Sequence, residues 1–154
     1  MMLGQIVRET LEQRLVVLLG DDLVTRMDMT ESTPEKDGES AEHGGGADAF
    51  VREVAVQLAK ARTVHHGHMP EIKLTGPDTA TGIWAMEDIV EWPGGRILRG
   101  YGHYLENYRK VGGEWRIART HLKRLRLDYV GPWPKTAAET NALMRTKEFY
   151  EGAA

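Results

Sequence analysis

The chain has 154 residues, 41% of them apolar and 28% charged, with a formal net charge of −3. That length holds one domain with a buried core but not two of ordinary size, and the charge lacks the basic excess that nucleic acid or an anionic membrane surface would require. With no cysteine in the sequence, disulfides, thiolate nucleophiles and thiolate metal sites are excluded.

Met1 to Gln5 lead into charged residues without a long apolar run, so no signal peptide or membrane span is expected, and a cytoplasmic location fits. Ile6, Val7, Leu11, Leu15 and Leu18 lie opposite Arg8, Glu9, Glu12 and Gln13, the spacing of an amphipathic helix that packs on something larger. Residues 30–46 have no large apolar side chain and predict a mobile surface loop within the domain. Asp48 is placed to cap a second helix with Phe50, Val51, Val54, Ala55 and Leu58 on one face, ending near Lys60 and Ala61.

From Thr63 the apolar period changes to two, and Gly76-Pro77-Asp78, Pro93-Gly94-Gly95 and Gly112-Gly113 supply turns. The pattern predicts four strands at about 62–74, 80–92, 96–110 and 114–128, joined as an antiparallel meander. Strands this long curl, and the predicted fold is α+β: a cone-shaped antiparallel sheet packed against the N-terminal helices, its mouth open to a small molecule. One domain over residues 1–128 is expected. A tail over 129–154 follows, with Pro132, Pro134 and a candidate helix from Ala137 to Tyr150 that caps the cone or joins subunits.

The chemistry concentrates between Val64 and Ile72, which hold three of the six histidines, and in Trp84-Ala85-Met86-Glu87-Asp88 on the next strand. An imidazole facing a carboxylate across two strands is a general acid/base pair, because the carboxylate fixes the ring tautomer and raises the basicity of the other nitrogen. By alternation Asp88 shares a face with Trp84 and Met86, His65 groups with Gly67 and Met69, and His66 and His68 point the other way. His66 stays open as a rival base, since a bulge would exchange it with His65. Plainer readings stand beside these. His65 and Asp88 could be a buried structural pair, and Trp84, Met86, Trp92 and Trp115 have the spacing of core residues. The Lys123-Arg124-Leu125-Arg126 run reads as a solvated strand end. Gly44-Gly45-Gly46 lacks the lysine and the preceding strand of a phosphate loop.

The blocks Gly46-Ala-Asp-Ala-Phe-Val, Arg62-Thr-Val-His-His-Gly-His-Met-Pro-Glu-Ile, Ala80-Thr-Gly-Ile-Trp-Ala-Met-Glu-Asp, Gly100-Tyr-Gly-His-Tyr-Leu-Glu-Asn-Tyr and Gly113-Glu-Trp-Arg-Ile-Ala together resemble the SnoaL-like branch of the nuclear transport factor 2-like superfamily, over residues 46–128. The likeness is greatest to the branch with scytalone dehydratase and bile acid 7α-dehydratase. It implies a cone with a pocket for a hydrophobic ring compound, cofactor-free lyase or isomerase chemistry, and association as a homodimer or homotrimer through the outer sheet face. The family's strand histidine and its polar partner match His65 and Asp88, and an arginine that contacts substrate matches Arg124. The active dehydratases also carry a tyrosine and an aspartate on the first helix. Here no tyrosine precedes Tyr101, and Val16–Asp22 matches the end of that helical segment, leaving Tyr104, Tyr108 or Arg124 to supply the electrophile.

The expected function is therefore a dehydratase- or cyclase-like step on a polyketide, steroid or terpenoid ring, with His65, Asp88 and Tyr104 acting and His66, Trp84, Met86, Tyr108 and Arg124 lining the site. No metal or cofactor is expected. The alternative is a non-catalytic binding or oligomerisation module of the same fold. A minor alternative is a cupin-like iron or manganese site from His66, His68, Glu71 and His103, whose spacing is one residue short of that pattern.

Overall fold

The computed structural model describes residues 19–31, 38, 42–146 and 149; the predicted helix over 6–18 lies outside them. Six strands run in chain order: β1 Leu19–Glu31, β2 Glu42–His43, β3 Arg62–Gly76, β4 Thr79–Trp92, β5 Arg96–Val111 and β6 Glu114–Val130. Helix α1, Gly46–Gln57, separates β2 from β3, and α2, Ala137–Leu143, follows β6. The strands form one curled, unclosed sheet in the order β2-β1-β6-β5-β4-β3.

The four predicted strands occur as β3 to β6 in an antiparallel meander. Glycine makes two of their turns: Gly94 and Gly95 (φ 84° and 77°) and Gly112 and Gly113 (φ 60° and 88°) adopt left-handed backbone that other residues enter at a cost. The sheet is mixed rather than wholly antiparallel, because β1 runs parallel to β6. Residues 19–22, matched above to the end of a helical segment, are the start of that strand. Within the predicted loop, Glu42 and His43 pair with Arg26 and Thr25, and the Gly38 N–H donates to Asp28 Oδ2 at 3.1 Å.

Helix boundaries differ from the sequence reading in three places. Gly45, at φ 122° and without a side-chain bond, occupies the N-cap position of α1; Asp48 sits in the first turn, where its charge complements the helix dipole. The helix ends at Gln57 rather than near Lys60. The final helix runs Ala137–Leu143 and begins with a capping box between Thr136 and Glu139; Phe149 is helical again, and Tyr150 lies outside the described residues.

Two apolar clusters hold these parts together. Leu19, Leu23 and Ala47, with Phe50, Val51 and Ile117, fix α1 against β1 and β6. Val90, Trp92, Leu98 and Phe149, with Leu58, Trp133 and Leu143, fix the C-terminal segment against the other end of the sheet. Trp92 belongs to the core as expected, but Trp115 is 40% exposed, its ring 6.0 Å from Lys110 Nζ. Phe149 is fully buried, with its ring 4.8 Å from Trp92 and 5.7 Å from Trp133. Phe149→Ala should therefore lose about 3–5 kcal/mol of stability in urea unfolding, as a truncated buried aromatic does; a loss under about 1 kcal/mol would mean that the tail does not complete this core.

Candidate active site

The β4 side chains alternate between faces as the sequence requires. Ala80, Gly82, Met86, Asp88, Val90 and Trp92 are buried, with Trp84 half-buried on the same, inner face. Register then assigns the neighbours, because residues directly opposite one another across a ladder share a face. His65 stands opposite Asp88 and Gly67 opposite Met86, while His66 and His68 stand opposite Glu87 and Ala85 on the outer face. On β5, Tyr104 is opposite Trp84 and Tyr108 opposite Ala80, so both tyrosines share the inner face with His65. The β3 bulge falls after His68 rather than between His65 and His66. It places Met69 at φ 43° and 88% exposed, outside the predicted grouping with His65.

The centre of this face is an ion pair. Arg124 Nη1 and Nη2 donate to Asp88 Oδ1 and Oδ2, both at 2.9 Å, and both residues are buried. Arg124 Nε donates to the Asp28 carbonyl at 3.1 Å. Among the described residues, three of the five guanidinium N–H groups are thereby used. The predicted solvated strand end is corrected here: Arg124 follows Thr120 and Leu122 on the buried inner face by plain alternation, and the bulge at Leu125 comes after it. Gly100 is what admits the pair, since a β-carbon there would overlap Arg124 Nη1 and Asp88 Oδ1. Asp88 gives both oxygens to Arg124 in this arrangement. It faces His65 across the ladder as a neighbouring charge, without a hydrogen bond to the ring.

Neighbouring protein favours the neutral form of both groups. Around His65, whose side chain still reaches solvent, partial loss of hydration lowers the pKa, opposed by the Asp88 charge and reinforced by Arg124 and His66, which favours the uncharged imidazole. Loss of hydration, with the Asp88 charge, pushes Tyr104 up to about 12, so the phenol keeps its proton.

Two participants escaped the sequence reading. Asp28 is fully buried, accepting from Arg26 Nε at 3.2 Å and lying 3.2 Å from His121 Nε2, while its carbonyl holds Arg124. Glu106 lies between Tyr104 and Tyr108 by simple alternation, which could have revealed it. Its carboxylate accepts from the Tyr108 hydroxyl and from Thr120 Oγ1, and Tyr108 accepts from Trp84 Nε1 at 2.7 Å. Gly82 leaves room for the Tyr108 ring, which a β-carbon would meet.

Burial raises the Glu106 pKa above its ordinary 4.5, outweighing the hydrogen bonds from Tyr108 and Thr120 that lower it. A raised pKa favours the protonated folded form, so its contribution to stability is full below the unfolded value and is lost as pH rises through the folded one. In urea unfolding between about pH 4 and 8, the stability of wild type relative to Glu106→Gln should fall as pH rises. A pH-independent difference would contradict the shift.

The metal-enzyme alternative is corrected by the fold, which is this curled sheet with a helix before β3 and not a cupin barrel. Glu71 lies beyond the bulge, opposite Ile83, and His103 stands opposite Ala85 on β5.

The sequence matches the SnoaL-like domain model over residues 21–121, and the chain belongs to that family. Its structure is similar to a putative scytalone dehydratase from Novosphingobium aromaticivorans, with TM-score 0.60 and 20% identity over 79% of this chain and 76% of that one. It is also similar to the hexachlorocyclohexane dehydrochlorinase LinA-type3 from Novosphingobium barchaimii, with TM-score 0.61 and 16% identity over 84% of each chain. A Mycobacterium tuberculosis protein of unknown function, Rv3472, matches with TM-score 0.57 and 19% identity over 90% and 84%. At these identities the likeness establishes the nuclear transport factor 2-like fold. No described helix is long and apolar enough to cross a membrane.

Proposed function

We propose that this protein is a cofactor-free lyase or isomerase that acts by general acid/base catalysis on a small hydrophobic ring compound. The observation that carries the reading is that His65, Tyr104 and the buried Asp88–Arg124 pair share the inner face of the sheet. In an elimination, the neutral His65 imidazole removes a proton from a ring carbon. The released electron pair forms a C=C bond as the neighbouring carbon loses its substituent. A departing hydroxide takes the Tyr104 proton and leaves as water, whereas a departing chloride needs none. The guanidinium of Arg124 binds oxygen that gains negative charge, held in place by Asp88 and the Asp28 carbonyl. Trp84, Met86 and Tyr108 supply apolar and aromatic surface for the ring, with Ile72 beside Gly82. Relatives whose names specify a dehydratase and a dehydrochlorinase support the two leaving groups.

A non-catalytic binding module is the second reading, favoured by the absence of any tyrosine before Tyr101. A panel of β-hydroxyketone, steroid, polyketide and chlorinated cyclohexane rings separates the two readings when followed by NMR for binding and for product. The proposal expects an unsaturated product from at least one ring that binds. Binding across the panel without conversion would support the module instead.

A further inference from the structure

The outer face of the β3–β4 edge carries a group of side chains that the acid/base reading leaves unused. His66 and His68 project from the same face of β3, and Glu87 stands opposite His66 on β4. One donor atom from each of the three lies within 4.8 Å of the others. His66 Nδ1 is 3.9 Å from Glu87 Oε2, and the two imidazole rings are 5.6 Å apart and steeply inclined. Ala85, a small residue, stands opposite His68 and beside Glu87 on the same face of β4.

We propose that His66, His68 and Glu87 bind a divalent first-row metal ion of borderline softness, Zn2+ or Ni2+, on the face of the sheet opposite the candidate active site. Two imidazoles and one carboxylate are the donor set that such ions take, with water completing the coordination. Bonds of about 2.0–2.2 Å place donors roughly 3.3 Å apart in a tetrahedral shell, so the widest pair must close by at most about 1.5 Å. Rotation of two exposed imidazoles and a half-buried carboxylate supplies that movement without backbone change. The histidines belong to the strand and the carboxylate to its neighbour, so the ion ties the edge strand β3, exposed along nearly all its length, to β4. This binding is independent of the catalytic proposal, since His65 and Asp88 project from the other face. It departs from the sequence reading, which expects no metal.

The test titrates tag-free protein with ZnCl2 and NiCl2 by calorimetry and follows the thermal midpoint with each ion. One ion per chain should bind wild type and raise its midpoint. His68→Gln and Glu87→Gln should each weaken binding by about tenfold or more, since losing a direct ligand costs at least as much as losing a residue that supports one. His103→Gln, which alters another outer-face imidazole, should bind like wild type. Failure of wild type to bind, or equal binding by wild type and His68→Gln, would overturn the proposal. Unchanged metal binding in an inactive His65→Gln variant would confirm that the two sites are separate.

Discussion

Arg124→Met should destabilise the folded chain by about 3–5 kcal/mol, the range for removing one partner of a buried ion pair. The loss arises from what is left behind. Asp88 is 3% exposed and gives both carboxylate oxygens to Arg124, so the variant retains a buried charge without its donors. The Asp28 carbonyl loses the Arg124 Nε donor as well, loosening the link from β6 to β1. Asp88→Leu combined with Arg124→Met removes both charges and should recover much of the loss, since an apolar pair of suitable volume often replaces a buried salt bridge without penalty. Gly100→Ala provides a check that leaves both charges in place, because its methyl group would displace the pair. Urea unfolding of wild type, Arg124→Met, Asp88→Leu and the double variant measures the coupling. An Arg124→Met loss below about 1 kcal/mol would show that the pair is not held as described.

His65→Gln should reduce turnover of any substrate found by about 10²–10⁴-fold, the usual contribution of one positioned acid/base group, with little change in stability. The small effect on stability follows from the site itself: β3 is exposed along almost its whole length, and the His65 ring has no hydrogen-bond partner among the described residues. Glutamine retains size and polarity but cannot take a proton near neutral pH. Steady-state kinetics should show the loss in kcat as well as kcat/KM, since removal of a base acts on the reaction barrier and not on uniform binding. A change confined to KM would reassign His65 to ligand contact.

Local signals revealed the meander because each of its strands pairs with the next through a short turn. Period-two alternation in β4 put Trp84, Met86 and Asp88 on one face, as found. Strand β1 was hidden for two reasons. Its inward positions include Thr25 between Leu23 and Met27, weakening the apolar alternation, and its long partner β6 lies far ahead in sequence and runs parallel to it. Arg124 was misjudged because the Lys123-Arg124-Leu125-Arg126 run looks uniformly solvated. Alternation from Thr120 and Leu122 already carries Arg124 to the inner face; what the sequence hid is its partner, the Asp88 carboxylate 36 residues away. Asp28 was equally obscure, since apart from Arg26 on its own strand its partners include His121 on β6 and Gly38. Glu106 could have been found, since it lies two residues from each of two tyrosines already singled out.

The sequence left His65 and His66 as rivals, and strand register separates them onto opposite faces. The most direct test compares turnover by His65→Gln and His66→Gln on one substrate in buffer stripped of divalent metal, after circular dichroism has shown both variants to be folded. The account predicts that His66→Gln keeps turnover near wild type while His65→Gln loses it by the factor above. Loss in His66→Gln with turnover retained in His65→Gln would contradict it and place the working base on the other face of the sheet.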